Sequence, residues 1–290
     1  MRKRTPQGRV QQARAPGSRH IYRSEGKNMN PLKQRILAGE QIAAAWVQLG
    51  SPDIAEIMVH HGWKVLVIDG EHGRGGIEEW VAIARAVEAA GGEVVLRVPD
   101  GSDTILKQVL DRGFRSLIVP FVNTAAQARS IAAAARYPGL GNRGYCAPII
   151  RASGWGTREG YARQEASDEL LLILQCEHIE AVENLAEIAS VPGVDMVFIG
   201  PNDLAGSIDH LERLLEPAPQ MLIKRIEAIA AEAGKPLATI IGAGRNWSDL
   251  WALGYRFVVG PNDVSLVIEG ARRTASERDR LPQPSQVTGY

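Results

Sequence analysis

The sequence predicts an α/β protein folded as a (β/α)₈ TIM barrel. Eight short apolar runs alternate with longer segments of helical periodicity, a pattern typical of βαβ units in a parallel sheet. The length of 290 residues also suits this fold, which needs about 250 residues. An open doubly wound sheet is the alternative, but strands that are apolar almost throughout favour a closed barrel covered by helices.

The first four units each pair an apolar, β-rich run with a helical segment. They cover 42–49 with 52–61, 65–69 with 77–90, 94–98 with 104–112, and 116–120 with 125–135. The first three helices are followed by Gly62, Gly91 and Gly113, at the position where glycine most often ends a helix.

The last four units follow the same rule. They cover 171–175 with 182–189, 196–200 with 221–233, 237–241 with 247–253, and 257–260 with 264–271. Between the fourth and fifth strands, residues 137–157 form an irregular excursion rich in Gly, Pro and Arg. We expect this excursion to belong to the mouth of the active site.

The predicted barrel domain covers residues 29–275, between a basic arm at 1–28 and a flexible tail at 276–290. The arm carries eight Lys or Arg and one Glu with few large apolar residues, so we expect it to be disordered. It lacks the apolar core of a signal peptide, and Met29 is an alternative start of translation. Use of the arm as a transit peptide or for binding nucleic acid stays open.

Composition restricts the function classes of the folded part. Outside the basic arm the chain is acidic, which argues against a nucleic-acid surface on the barrel domain. No apolar run approaches the length of a membrane span. The two cysteines, Cys146 and Cys176, have no CxxC spacing, which indicates a reducing cytoplasm and packing roles.

Reactive residues follow four predicted strands, at the face where barrel enzymes build their sites. Asp69 and His72 follow the second strand, Arg97 ends the third, and Glu177 and Asp203 follow the fifth and sixth. Two carboxylates on neighbouring strand ends suit a hard divalent cation, with other positions open to an oxygen-rich substrate.

A 2-oxo acid would complete such a site, because a metal stabilises the charge of an enolate formed beside its keto group. Arg97 would share that charge as a fixed cation. His72, oriented by Asp69, would be the general base, acting through a bound water. The simpler interpretation of Asp203 alone is a helix cap, and Asp263 has the same interpretation. Residues 242–245 are more simply a tight turn than a phosphate site.

Several motifs resemble those of the HpcH/HpaI class II pyruvate aldolase family, over residues 31 to about 270. They are Asp-Gly-Glu-His-Gly at 69–73, Leu-Arg-Val-Pro at 96–99, Leu-Asp-Arg-Gly at 110–113, Asn-Arg-Gly at 142–144, Gln-Cys-Glu at 175–177 and Gly-Pro-Asn-Asp at 200–203. The resemblance implies cleavage of a 4-hydroxy-2-oxo acid to pyruvate and an aldehyde, in the catabolism of sugar acids or aromatic compounds.

The resemblance also implies site roles. Glu177 and Asp203 would bind Mg²⁺, Mn²⁺ or Co²⁺, and His72 with Asp69 would serve as base. Arg97 would face the enolate. Gln175 and the backbone at Asn202 and Asp203 would hold the pyruvate unit. Asp111 would enter the site of a neighbouring subunit, in a hexamer with exchanged carboxyl-terminal helices.

Two departures from the family pattern leave the substrate open. Residues 145–151 are atypical where the aldehyde half should contact the protein, and Gly-Pro-Asn-Asp at 260–263 replaces a shorter Gly-x-Asp. A CoA-ester lyase of the malyl-CoA or citryl-CoA type is the second interpretation. A non-catalytic barrel that binds partners through the basic arm is the third.

Overall fold

A computed structural model describes residues 30–280 and shows a closed barrel of eight parallel strands, which confirms the predicted fold. Each strand pairs with the next, and the last pairs with the first. The strands are β1 (Ile42–Val47), β2 (Val65–Asp69), β3 (Glu93–Arg97), β4 (Ser116–Val119), β5 (Leu171–Cys176), β6 (Met196–Ile199), β7 (Leu237–Ile240) and β8 (Phe257–Asn262). The predicted arm at 1–28 and residues 281–290 of the predicted tail lie outside the described residues.

Helices occur at all the predicted positions, with additional short ones. They are α1 (Pro31–Leu37), α2 (Pro52–His60), α3 (Ile77–Ala89), α4 (Asp103–Asp111), α5 (Ala125–Ala134), α6 (Glu165–Asp168), α7 (Ile179–Glu183), α8 (Leu185–Ser190), α9 (Pro201–Gly206), α10 (Pro217–Glu232), α11 (Trp247–Ala252) and α12 (Asp263–Asp279). The sequence did not predict α1, α6 or α9, which are too short to show a clear helical period. Among the helices of residues 30–280, none is long and apolar enough to cross a membrane.

Helix α1 closes the amino end of the barrel. Its Leu32 and Ile36 are buried in one cluster with inward-facing strand residues such as Val67 and Phe198. Asn30 caps this helix with its side-chain oxygen. Its amide group also donates to Ser116 Oγ at 2.8 Å and to the carbonyls of residues 115 and 169. The buried Asn30 side chain is therefore fully hydrogen-bonded, and it links the start of α1 to the starts of β4 and β5.

The irregular excursion lies at this amino end, so the expectation that it lines the active-site mouth is wrong within one chain. Helix α5 precedes the excursion and returns the chain to the amino ends of the strands, and β5 begins after it. Arg151 in the excursion donates to the carbonyl of Arg112 at 2.9 Å, just before β4. Residues 145–151, expected beside the aldehyde, lie on the same face.

The carboxyl end of β8 joins β1 through an irregular register. The pairing shifts between Ala44 and Trp46, so that Trp46 pairs with Asn262. The longer Gly-Pro-Asn-Asp segment thus extends β8, and Asn262 caps α12 by accepting from the Ser265 N–H. Asp263, expected to be the cap, is instead the buried first residue of α12. Helix α12 continues to Asp279, with most of its surface exposed.

Candidate active site

An ion pair joins the carboxyl ends of β2 and β3. Arg97 donates from Nε to Asp69 Oδ1 at 2.9 Å and from Nη2 to Asp69 Oδ2 at 2.8 Å. Neighbouring parallel strands place their last residues side by side, and Asp69 pairs with Arg97 in the register of the sheet. Both side chains are buried. The bidentate geometry holds the guanidinium in one plane and one position.

Two further side chains, Trp46 and Glu71, contact Arg97. Its guanidinium lies over the ring of Trp46 on β1, with 4.5 Å between the guanidinium carbon and the ring centroid. Its Nη1 lies 3.0 Å from Glu71 Oε2, although the two groups are not aligned as a hydrogen bond. The cation therefore has a fixed position with one carboxylate nearby that remains available for other contacts.

The Asp69 carboxylate is fully engaged by donors. Besides Arg97, it accepts from Gln48 Nε2 at 2.7 Å and from the backbone N–H groups of Glu71 and His72 at 3.2 Å. Burial opposes ionisation, but the hydrogen bonds and charge of Arg97 hold the pKa of Asp69 below its usual range. Asp69 therefore favours its charged form and holds the donors around it in place.

The expected contact between Asp69 and the His72 ring does not occur in the described structure. The His72 side chain is 61% exposed, and its Nε2 lies 3.8 Å from Glu71 Oε2. Only the His72 backbone N–H reaches Asp69. The physical reason is that Arg97 and Gln48 already occupy the carboxylate oxygens. His72 therefore stands at the rim of the site without an orienting carboxylate from Asp69.

Glu177 is a buried carboxylate without a cationic partner among the described residues. Its Oε1 accepts from the Phe121 N–H at 2.8 Å, and its Oε2 accepts from Gln175 Nε2. Burial raises the pKa of Glu177 to about 7, and the nearby carboxylates of Glu71 and Asp203 raise it further against these hydrogen bonds. A cation at this position would stabilise the charged form.

Glu71 belongs to this group, although it was not among the site residues expected from the sequence. Burial raises its pKa, and the charge of Arg97 opposes that shift while Asp69 and Asp203 add to it. Its Oε2 is buried without a hydrogen-bond partner in the described chain. The signal was present in the Asp-Gly-Glu-His segment, where Glu71 lies two residues after Asp69.

Asp203 and Asn202 lie in the first turn of α9, directly after β6, and both are exposed. Gly200 lies before this turn, and a Cβ there would collide with the Glu177 carboxylate and crowd the Gln175 amide. Glycine is therefore required for β6 to approach Glu177 closely. Gln175 Oε1 is a second buried acceptor without a partner in the described chain.

The donor set fits a hard divalent cation. Glu177, Glu71 and Asp203 place carboxylate oxygens near one another, and the unpartnered oxygens of Glu71 and Gln175 lie in the same region. Across residues 30–280, no three His, Cys, Asp or Glu side chains are grouped closely enough to ligate one ion. Two carboxylates would therefore hold the ion and leave most positions to water and substrate oxygens.

Asp111 is far from this group within one chain. It ends α4, just before β4, and so lies at the amino ends of the strands. Arg143 donates to its Oδ1 at 2.6 Å and also lies over the ring of Tyr137. Asp111 is thus held in place by the excursion, on the face opposite Glu177.

Residues 242–245 and the two cysteines lie outside the group of carboxylates. Gly242 and Arg245 exchange backbone hydrogen bonds in a tight turn, and the Arg245 guanidinium pairs with Glu227. The arrangement matches the simpler interpretation of residues 242–245 as a turn. Cys176 is buried, and burial raises the pKa of its thiol to about 12, which suits a packing residue. Cys146 is exposed, so the expected packing role is wrong for that residue.

Comparisons with known proteins place the chain among aldolases by sequence. The sequence model of the family described as HpcH/HpaI aldolase/citrate lyase matches residues 43–270. The 2-keto-3-deoxy-L-rhamnonate aldolase of Klebsiella pneumoniae is 37% identical over 262 residues, which are 90% of this chain and 98% of that protein. The hydroxypyruvate/pyruvate aldolase of Cupriavidus necator is 37% identical over 87% of this chain and 94% of that protein.

A solved structure is similar as well. It is that of an HpcH/HpaI aldolase/citrate lyase family protein from Burkholderia cenocepacia, with a TM-score of 0.81 and 31% sequence identity. The match covers 87% of this chain and 100% of that chain. The similarity therefore extends over most of this chain and the whole of that one.

Proposed function

The chain belongs to the HpcH/HpaI aldolase/citrate lyase family, and from that premise we propose that it is a divalent-metal-dependent aldolase. It cleaves a 4-hydroxy-2-oxo acid to pyruvate and an aldehyde, and catalyses the reverse condensation. The observation that carries the proposal is the buried Glu177, whose pKa is raised to about 7 beside two more carboxylates and one fixed arginine. This set has a deficit of positive charge that a divalent ion removes.

Glu177 and Asp203 would hold the ion. A bound Mg²⁺, Mn²⁺ or Co²⁺ supplies a Lewis acid that offsets the negative charge developing on the keto oxygen. Arg97 adds a fixed positive charge to the same region, since Asp69 and Trp46 hold its guanidinium. Preorganised charge of this kind stabilises an enolate without reorganisation during the reaction.

The chain's remaining polar groups would bind the pyruvate unit and move the proton. Gln175 would contribute the second N–H of its Nε2, since Glu177 accepts only one of the two, and the backbone amides at Asn202 and Asp203 would donate to the substrate carboxylate. His72 accepts the C4 hydroxyl proton, the C3–C4 bond breaks, and its electron pair passes into the enolate. Protonation at C3 then gives pyruvate. Since Asp69 is occupied by Arg97, His72 acts in this mechanism without orientation by Asp69.

Assembly completes the site in this proposal. Asp111 lies at the amino end of its own barrel, so it reaches a strand-end site only in a different subunit. The exposed helix α12 provides a surface for exchange between chains. We propose the hexamer with exchanged carboxyl-terminal helices that the family pattern implies. Light scattering of the purified chain measures the number of subunits, and a monomer with full activity would contradict this arrangement.

The direct test is pyruvate release from 4-hydroxy-2-oxo acids of several chain lengths. Metal-stripped protein should be inactive, and added Mg²⁺, Mn²⁺ or Co²⁺ should restore release. Glu177→Gln and Asp203→Asn should each lower restored activity by more than the ~100-fold typical of outer-sphere changes at a metal site. Full activity in either variant contradicts the metal assignment. Cleavage of malyl-CoA without cleavage of any 2-oxo acid would establish the CoA-ester lyase instead.

A further inference from the structure

Gln48 connects the start of α12 to the buried Asp69–Arg97 pair. It is the first residue after β1. Its backbone N–H donates to Asp263 Oδ1 at 2.9 Å, and its side-chain Nε2 donates to Asp69 Oδ2 at 2.7 Å. Gln48 thus joins the start of α12 to the carboxylate that holds Arg97.

The contact with Asp69 affects how Arg97 is bound. Asp69 Oδ2 accepts from both Gln48 Nε2 and Arg97 Nη2, at 2.7 and 2.8 Å. A carboxylate with donors on both oxygens cannot rotate about its terminal bond without losing hydrogen bonds. Gln48 adds a second donor on Oδ2 and so strengthens the restraint on the plane of the carboxylate, and that plane sets the plane of the bidentate guanidinium.

Strand β1 also contacts Arg97 directly, through Trp46. Trp46 lies two residues before Gln48, and residues two apart along an extended chain point to the same face. The Trp46 ring stacks on the Arg97 guanidinium, while Gln48 reaches the carboxylate that binds its edge. The end of β1 thus determines two of the contacts that orient Arg97.

Asp263 fixes the backbone from which Gln48 reaches. Its carboxylate is buried and accepts from the N–H groups of Gln48 and Leu49, each at 2.9 Å. Two bonds to consecutive residues define the direction of the chain as it leaves the barrel. The position of Gln48 therefore depends on where the first turn of α12 packs against the end of β1.

We propose that Gln48 is a positioning residue for Arg97, which acts through Asp69 and is held by Asp263. The proposal rests on the proposed function, because it assumes that Arg97 stabilises an enolate. Gln48 itself contacts neither the substrate nor the ion. Its loss allows the Asp69 carboxylate and the guanidinium to turn away from the developing charge.

The test measures exchange of the C3 hydrogens of pyruvate with D₂O by NMR, in the presence of Mg²⁺. This reaction reports enolate formation and needs no aldehyde. Gln48→Leu should lower the exchange rate by about 10-fold, the lower range for residues that orient the groups of a metal site. Gln41→Leu is the matched control, because Gln41 precedes β1 at its amino end and donates to the Trp251 carbonyl. Its rate should match that of the parent.

A double-mutant cycle separates positioning from general damage. If Gln48 acts through Arg97, then Gln48→Leu should change the rate by less than about twofold when Arg97→Met is already present. A parental rate in Gln48→Leu overturns the proposal. So does a 10-fold loss that persists in the Arg97→Met background.

Absence of exchange in the parent protein would count against the proposed aldolase. The link between Gln48 and Arg97 can then still be tested by protein stability. Urea unfolding of the parent, the two single variants and the double variant measures coupling between the side chains without turnover. Because both donate to Asp69 Oδ2, the shifts in unfolding midpoint should be non-additive. Additive shifts overturn the link between Gln48 and Arg97.

Discussion

The two ends of the barrel treat buried charge in opposite ways. At the amino end, acidic side chains have cationic partners: Arg143 contacts Asp111 at 2.6 Å, Arg158 contacts Glu169 at 2.5 Å, and Lys33 contacts Asp195 at 3.1 Å. At the carboxyl end, a single arginine, Arg97, contacts both Asp69 and Glu71, while Glu177 has only uncharged donors in the described chain.

The difference separates stability from function. Paired charges satisfy each other and leave nothing for a ligand, whereas like charges held together in a buried site raise the free energy of the protein without its ligand. The raised pKa values of Glu177 and Glu71 reflect this unfavourable free energy of the charged carboxylates. Within one chain, the proposed cation and substrate would therefore bind at the carboxyl end, whereas the ion pairs at the amino end stabilise the barrel.

The largest expected effect is on catalysis at the carboxyl end. Arg97→Met should lower kcat/KM for pyruvate release by about 30- to 1000-fold, because a charge-stabilising group contributes about 2 to 4 kcal/mol to a transition state. Steady-state kinetics with saturating Mg²⁺ measures the loss. Parental kinetics in Arg97→Met would show that this charge has no part in the reaction.

The next effect concerns stability without metal. The pKa of Glu177 is raised from 4.5 to about 7, so the folded state is favoured while the group is protonated and loses that advantage as pH rises through 7. Glu177→Gln removes the titration. It should increase the free energy of unfolding at pH 8 by about 3 kcal/mol, with a gain that shrinks toward pH 5.

Urea unfolding in EDTA at the two pH values measures this gain. Asp111→Asn is the contrasting variant, because it removes a paired carboxylate at the amino end and leaves the buried Arg143 without its anion. It should lower the stability at pH 8. The same sign of change in both variants would contradict the contrast between the two ends.

A smaller effect is expected for an amino-end cation. Arg158 contacts Glu165 and Glu169 and lies over the ring of Tyr161. Arg158→Met leaves the buried Glu169 with a weaker set of partners, so the free energy of unfolding should fall by about 2 kcal/mol. Thermal unfolding measures the loss. In the same variant kcat should stay within about twofold of the parent, and a large fall in kcat would show that Arg158 itself affects the reaction.

The smallest effect concerns the backbone beside Glu177. Phe121 has a φ of 51°, in the left-handed region, which costs a residue with a Cβ roughly 1 kcal/mol. Phe121→Ala and Phe121→Gly both remove the ring, and only the glycine variant removes this strain. The glycine variant should be about 1 kcal/mol more stable than the alanine variant. Equal melting temperatures would show that no strain is stored beside Glu177.

The sequence predicted the barrel and the strand ends that meet at the site, because both depend on periodicity and on the direction of parallel strands. It placed Asp69, Arg97, Glu177 and Asp203 on one face without knowledge of any contact. It did not predict which donors Asp69 selects, since competition between Arg97, Gln48 and the His72 ring depends on distances of a few tenths of an ångström.

The location of the excursion at residues 137–157 was not predicted correctly, for a different reason. Its irregular composition indicated a functional loop, but composition does not tell on which face of a barrel a loop lies. The predicted helix at 125–135 contained the necessary information, because a helix after β4 must return the chain to the amino end. Glu71 and Gln48 were missed for a third reason: their importance arises from burial beside other residues, which only the folded chain reveals.

The bond between Asp263 and the end of β1 has a consequence for how the protein matures. Synthesis proceeds from the amino terminus, so β1 leaves the ribosome more than two hundred residues before its partner Asp263. Until then the edge of β1 has neither β8 nor the carboxylate that anchors Gln48 and Leu49. Closure of the barrel and orientation of the site are therefore one late event, and a nascent chain cannot acquire activity before it acquires its complete fold.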